Sequence, residues 1–106
     1  MIWNLHQFMA EKHTTRIDKW LWAVRIFKTR GMATKACAGG KVKIDGSAVK
    51  ASRNIQQNDV IQVRKGVVKY LYKVRTIAEK RMGAKLVPDY LEDITLKEEL
   101  VKLKSS

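Results

Sequence analysis

The sequence predicts an α+β domain: two packed helices, then a small antiparallel sheet, then a C-terminal tail or short helix. Three observations predict it. Apolar residues recur every three or four positions before Gly39-Gly40 and every second position after it. Asp45-Gly46 lies between two short alternating segments, a strong signal for a tight hairpin. The chain has 106 residues, 45% hydrophobic and 30% charged, which suits one folded domain and excludes a disordered one.

The first helix is carried by Ile17, Trp20, Leu21, Val24 and Phe27, which line one face. Thr14 or Thr15 is expected to cap it, and Asp18 suits the positive end of its dipole. Trp22 and Ile26 fall opposite the stripe and are expected to be exposed contact side chains. The second helix is expected from Arg30 to Ala38, capped by Thr29. Its inner face holds Met32, Ala33, Ala36 and Cys37, mostly small, so the helices can pack closely. Gly39-Gly40 ends it, since glycine readily takes the left-handed conformation.

Strands follow. Val42 and Ile44 alternate with Lys41 and Lys43, and Ser47–Val49 returns antiparallel across the hairpin turn. Ile55 packs before a turn at Gln57-Asn58-Asp59. Val60–Val63 is a third strand, and Lys65-Gly66 turns it into a longer one over Val67–Arg75. Tyr70 and Tyr72 read as half-buried sheet residues. Arg81–Lys85 reads as a loop, and Asp89–Leu103 as a short helix after Pro88. The expected division is an N-terminal extension over 1–15, the domain over 16–76 and a C-terminal extension over 77–106.

The net charge is +12. It is concentrated: residues 16–85 hold 18 basic and 4 acidic side chains, and residues 86–106 hold 3 and 5. Like charges packed on one small fold repel, and nucleic acid is the commonest polyanion that offsets them. The bland alternative is a basic face that serves solubility alone. A membrane-surface role lacks its long amphipathic basic helix. Charge alone also allows DNA as the partner.

Other functions are excluded by missing residues. Cys37 is the single cysteine, so no internal disulfide can form and a reducing compartment fits. One Cys with His6 and His13 makes no zinc site. The carboxylates are unpaired, and no Ser/His/Asp or Cys/His set is legible, so neither an enzyme nor a cofactor is expected. The first ten residues are apolar but have no basic lead and no cleavage site, so they read as no signal peptide. Met9 offers an alternative start, with residues 1–8 as a loose extension. No segment approaches a membrane span. The expectation is a cytoplasmic monomer.

The candidate site is a set of cations at the edges of these elements. Arg16 and Lys19 lie at the start of the first helix. Lys28, Thr29 and Arg30 bracket the start of the second, with Lys35 one turn on. Lys41 and Lys43 lie on the outer face of the first strand of the hairpin, and Lys50 and Arg53 follow the hairpin. A helix N-terminus offers free N–H groups and a positive dipole end. Thr29 can add a hydroxyl donor, Arg30 a two-pronged grip and Lys28 a mobile charge, which together suit phosphate.

These residues make the chain recognisable. Arg16-Ile17-Asp18-Lys19-Trp20-Leu21, Lys28-Thr29-Arg30, Ala33, Gly40-Lys41-Val42-Lys43-Ile44-Asp45-Gly46, Val49-Lys50 and Asn58-Asp59-Val60-Ile61-Gln62-Val63 occur in order. Over about residues 15–64 the chain resembles the RNA-binding domain of the ribosomal protein S-four family. That resemblance implies an αL-type motif, two packed helices followed by a small twisted antiparallel sheet. The family usually has Asn-Gly where this chain has Asp45-Gly46, and Gly-Asp where it has Asn58-Asp59. Both replacements tolerate positive φ.

A narrower resemblance lies in Arg16 to Ala23 with Phe27-Lys28-Thr29-Arg30. These runs are similar to the small heat-shock-protein-fifteen subgroup and to short ribosome quality-control factors of the same fold. The resemblance implies binding of ribosomal RNA and tRNA on a free large ribosomal subunit that carries a nascent chain. It implies a role in rescue or recycling of that particle. Domains of the family are often appended to RNA-modifying enzymes, but no catalytic domain is read in the stretch that follows the match.

Overall fold

The computed structural model describes residues 13–105. The expectations for His6, for residues 1–8 and for a start at Met9 lie outside the described residues, as does most of the 1–15 extension. In chain order the elements are β1 (Thr14–Arg16), α1 (Ile17–Ala23), α2 (Arg30–Ala38), β2 (Val42–Ile44), β3 (Ser47–Ala48), β4 (Asn54–Gln56), β5 (Val60–Lys65) and β6 (Val68–Val74). A 3-10 turn (Ala84–Leu86), α3 (Val87–Tyr90), β7 (Leu91–Asp93) and α4 (Lys97–Ser105) complete the chain. The α+β class and the helix-helix-sheet order are as expected.

The leading end of α1 is not capped by Thr14 or Thr15. Both belong to β1, which pairs antiparallel with β4 and sets Thr15 opposite Ile55. The helix begins at Ile17, so Thr15 lies one residue too early to be its cap. The leading N–H groups are met instead by a loop: Ile17 N donates to Arg53 O at 2.8 Å and Asp18 N to Ala51 O at 3.4 Å. Arg16 occupies the cap position, but its side chain accepts no backbone N–H of the helix. The helix stops at Ala23, because Arg25 turns left-handed at φ 66°. Phe27 still reaches the core, from the turn that follows, with its N–H on the Leu21 carbonyl.

Thr29 caps α2 as expected, its Oγ1 accepting from Met32 N at 3.1 Å. Ala33, Ala36 and Cys37 face inward, and their small size lets α2 lie close on α1. Met32 does not join them; it is 50% exposed. One helical face is too narrow for Met32 beside Ala33 and Ala36, and the neighbouring turn leaves it open to solvent. Gly40 closes the helix at φ 74°.

Five strands form one sheet in the order β3-β2-β5-β6-β7, and each neighbouring pair is antiparallel. Asp45 and Gly46 take φ of 53° and 80°, the left-handed pair that a two-residue hairpin requires. Strand β5 runs through Lys65, so the next turn is Gly66-Val67 and not Lys65-Gly66. Tyr70 is half-buried, Tyr72 is buried, and their rings stack 6.1 Å apart.

A single helix over Asp89–Leu103 does not form. Leu91 is extended, and β7 adds to the sheet edge with Leu91 opposite Val74. Arg75 N and Thr76 N both donate to the Tyr90 carbonyl and fix that edge. The α4 helix that follows rests on β6, where Glu99 Oε1 accepts from Lys69 N at 2.9 Å.

The core lies between the helix pair and one face of the sheet. Ile17, Trp20 and Leu21 meet Val42, Ile61, Val63 and Val74, all fully buried. Each such aliphatic side chain contributes about 1.5–3 kcal/mol when removed from water. Trp20 also donates from Nε1 to Thr76 O at 3.0 Å, so its one polar atom is satisfied. Trp22 and Ile26 are half-buried against this core and not exposed, and the Arg81 guanidinium lies over the Trp22 ring. No described helix is long and apolar enough to cross a membrane.

Candidate nucleic-acid interface

The site is organised around a carboxylate. Asp18, in the first turn of α1, has a side chain only 2% exposed. Its oxygens accept both prongs of the Arg16 guanidinium, Nε at 3.2 Å and Nη2 at 3.1 Å. From α2, Thr34 Oγ1 donates at 3.0 Å and Arg30 Nη2 lies 3.7 Å away. Lys19 N completes the set at 2.8 Å. Burial alone would raise the Asp18 pKa. The Arg16 and Thr34 hydrogen bonds and the two guanidinium charges more than offset it, so the pKa lies below the ordinary 3.8.

Several expected residues converge here. The turn over residues 50–53 sets the Arg53 and Ala51 carbonyls on the N–H groups of Ile17 and Asp18, which brings the backbone at Arg53 beside Arg16. Arg30 stands at the leading end of α2, beside Lys28 and Thr29, and all three are exposed. Thr29 takes the Met32 N–H, while the N–H groups of Arg30 and Gly31 have no acceptor among the described residues. An α-helix leaves these groups for an anion.

A second cationic group adjoins the first. Phe27, Met32 and Lys65 form a ridge with a shallow hollow on either side. One hollow is walled by Arg25, Lys28 and Arg81, the other by Lys35, Lys41 and Arg64. Lys65 Nζ lies 4.7 Å from the Phe27 ring centroid and donates to Ile26 O. Desolvation there lowers its pKa. Arg81 Nη1 donates to Trp22 O at 2.6 Å and Phe27 O at 3.0 Å, and Arg25 Nη1 to Met82 O at 3.2 Å.

Of the expected residues, Arg16 and Arg30 meet at Asp18, and Arg53 adjoins them through its carbonyl on Ile17 N. Lys28, Lys35 and Lys41 line the hollows, and no described side-chain contact ties Lys50 to either group. Lys19 is half-buried beside Asp18. Lys43 stands apart: it is half-buried on β2, opposite Ala48 and Gln62, and no described contact ties it to either group. Sequence reasoning missed Arg25, Arg64, Lys65 and Arg81. For Arg64 a signal existed, since strand alternation from buried Val63 points it outward. Arg81 carried none, because its partners lie far back in the chain.

The S4 domain family model matches residues 15–61. An RQC P-site tRNA stabilizing factor from Helicobacter pylori (strain 26695) is 40% identical over 57 residues, covering 52% of this chain and 68% of that protein. This chain belongs to the S4 domain family. Within the family it is also similar to heat shock protein 15 of Escherichia coli K12, at 39% identity over 69 residues. That alignment covers 65% of the chain and 52% of the relative, so the chain spans about half the length of the curated relatives of this kind. The heat-shock-protein-15 subgroup named from the motifs is therefore supported. A solved structure of Vibrio cholerae heat shock protein 15, described as trimeric, superimposes with a TM-score of 0.74 at 29% identity. It covers 87% of this chain and 91% of that one. The S4 unit carries both cationic groups except for Arg64, Lys65 and Arg81, which lie beyond the matched residues.

Proposed function

We propose that this chain is an RNA-binding factor that holds ribosomal RNA, tRNA or both on the large ribosomal subunit. Its role is in rescue or recycling of stalled subunits that carry a nascent chain. The observation that carries the reading is the pair Arg16 and Arg30. They come from the leading ends of two helices, meet one carboxylate, and keep 48% and 44% of their side-chain surface open. Relatives named for P-site tRNA stabilization and as heat shock protein 15 support the ribosomal setting.

The mechanism is recognition of backbone and shape. Folded RNA presents phosphates and 2′-hydroxyls more readily than base edges. Arg16, Lys19, Lys28, Thr29, Arg30, Lys35, Lys41, Lys43, Lys50 and Arg53 are the proposed contacts, with residues 16–76 as the binding unit and 77–106 as its extension. Arg64 and Lys65 extend the same surface. Binding releases counterions and weakens steeply with salt. The factor performs no reaction and acts in the cytoplasm; incubation with ribosomal RNA that yields a modified nucleoside would refute the first point.

Sedimentation of cell extract through a sucrose gradient, at low and high salt, tests the proposal. The chain is expected to travel with large subunits at low salt and to leave them at high salt. Migration at the top of the gradient under both conditions refutes it. Release from subunits by duplex DNA at equal nucleotide concentration would favour the alternative, a general nucleic-acid binder. The proposal takes a monomer on the RNA. The Vibrio relative is described as a trimer, and light scattering of the free protein decides between the two.

A further inference from the structure

We propose that Asp18 is a positioning residue for RNA: its buried carboxylate holds the Arg16 and Arg30 guanidinium groups in place to meet phosphates. The inference rests on the RNA-binding reading above and adds to it a residue that touches no RNA.

An acid at this place is paradoxical. By charge alone, a carboxylate amid phosphate-binding cations weakens the attraction for a polyanion. Burying it also costs free energy unless it is paired and hydrogen-bonded. Its geometry resolves both points. Arg16 lies on Asp18 with two prongs, at 3.2 and 3.1 Å, and Arg30 approaches at 3.7 Å from the other helix. The carboxylate is itself fixed from both helices, by Lys19 N at 2.8 Å and Thr34 Oγ1 at 3.0 Å. No buried side-chain polar atom among the described residues is left without a partner.

A guanidinium has five N–H donors in a rigid fork. An edge turned to Asp18 leaves donors free for phosphate, and both arginines keep nearly half their side-chain surface in solvent. A free arginine loses rotamer freedom when it grips RNA. One held by Asp18 has lost that freedom on folding, so less is lost on binding. The two arginines come from different helices and share one anchor, which also fixes their spacing.

Charge and positioning predict opposite signs for one substitution. Asp18→Asn removes a negative charge from beside the two arginines, so electrostatics alone predicts tighter RNA binding. Positioning predicts weaker binding. The measurement is affinity for isolated large ribosomal subunits at one fixed salt concentration, with a thermal melt for each variant. Asp18→Asn is expected to bind roughly tenfold more weakly, the scale of two long side chains left to be immobilised. In a chain that already carries Arg16→Ala and Arg30→Ala, the same substitution is expected to have no effect or to tighten binding slightly.

Equal or tighter binding by Asp18→Asn overturns the proposal. So does an equal loss with and without the two arginines, which would mark Asp18 as merely structural. If Asp18→Asn fails to fold, Thr34→Val carries the test, since it loosens the carboxylate and leaves every charge in place. A Thr34→Val chain that binds as tightly as the original overturns the proposal. Failure of the underlying reading looks different: the Arg16→Ala, Arg30→Ala chain would then bind as the original does, and Asp18 would have nothing to position.

Discussion

Arg81 reaches back across the fold to Trp22: it donates to the Trp22 carbonyl at 2.6 Å while its guanidinium lies 6.0 Å from the indole centroid. The same nitrogen donates to Phe27 O at 3.0 Å. A residue between β6 and β7 thus closes the turn between the first two helices. Phe27 O lies beyond α1, Trp22 O at its end also accepts from Arg25 N at 3.1 Å, and the Arg81 side chain is half-buried. Hydrogen bonds from a charged donor contribute about 1.5–3 kcal/mol. Arg81→Ala is expected to lower stability by that amount, read as the midpoint of urea unfolding. Arg81→Lys keeps the charge and should recover only part of it, since an ammonium cannot reproduce the planar fork.

The contact between Arg81 and Trp22 also marks where sequence reasoning stopped. Helix α2 was legible because its signals are local: Thr29 before it, small residues within it, Gly39-Gly40 after it. The Asp45-Gly46 hairpin was legible for the same reason. The β1–β4 ribbon was not, since Thr15 pairs with Ile55 across the whole helix pair and neither flank alternates for long. Strand β7 was hidden because three residues carry too little periodicity to oppose the mixed charges around them. At the site, Arg16 and Arg30 could be placed from their positions at helix starts. Asp18 could be read only as a dipole residue, because its buried role exists only where α2 lies on α1. Lys43 shows the opposite limit: alternation placed it correctly on the outer face of β2, and said nothing about its distance from the other cations.

Gly46 isolates a backbone cost. Its φ is 80°, and a Cβ added there would meet nothing within 4 Å. Gly46→Ala therefore introduces no clash, only a left-handed conformation that costs an L-residue about 1–2 kcal/mol. The expected result is a loss of stability of that size at unchanged denaturant slope. Gly83 is the control: it is equally open but sits at φ −70°. Gly83→Ala should be neutral or slightly stabilising, because it restricts the unfolded chain alone. Equal effects at the two positions would contradict the assignment of the cost to φ.

Asp18 makes stability depend on acid. Burial pushes its pKa up, but the Arg16 and Thr34 bonds and the two guanidinium charges bring it below the ordinary value of 3.8. A carboxyl with a depressed folded pKa binds fewer protons folded than unfolded, so lowering the pH favours the unfolded chain. Its contribution is complete above the unfolded pKa and is lost as pH falls through the folded one. Thermal melts of the original chain and Asp18→Asn from pH 7 down to pH 2 should therefore converge in the acid range. A gap that stays constant with pH would mean that the carboxyl has the same pKa folded and unfolded, against the depressed folded value.

Arg30 is expected to anchor RNA more than to stabilise the protein. Its ion pair to Asp18 is long, at 3.7 Å, and its side chain is 44% exposed. Such pairs contribute little to folding. On RNA the same group can form charge-assisted bonds to phosphate, so Arg30→Ala should cost about 1–3 kcal/mol of affinity with little change in melting temperature. The plot of log affinity against log salt should become shallower by about one counterion. Binding to large subunits across a salt series checks both, and an unchanged slope with unchanged affinity removes Arg30 from the contact set.

Cys37 offers a clean probe of the helix pair, because it is the chain's single cysteine. It is buried on the inner face of α2, 4% exposed. Burial, with the Asp18 charge adding to it, pushes its thiol from an ordinary 9.0 up to about 11. Thiolate is the reactive form, and two pKa units cut its population at pH 8 by roughly a hundredfold. Steric cover slows attack further. An aromatic disulfide reagent at pH 8 should therefore label the native chain at least about a hundredfold more slowly than the denatured one. The rate should rise with urea in step with global unfolding, since α2 leaves the core only when the core opens. Fast labelling of the folded chain would mean that α2 detaches on its own, and the cationic surface it carries would then have no fixed geometry.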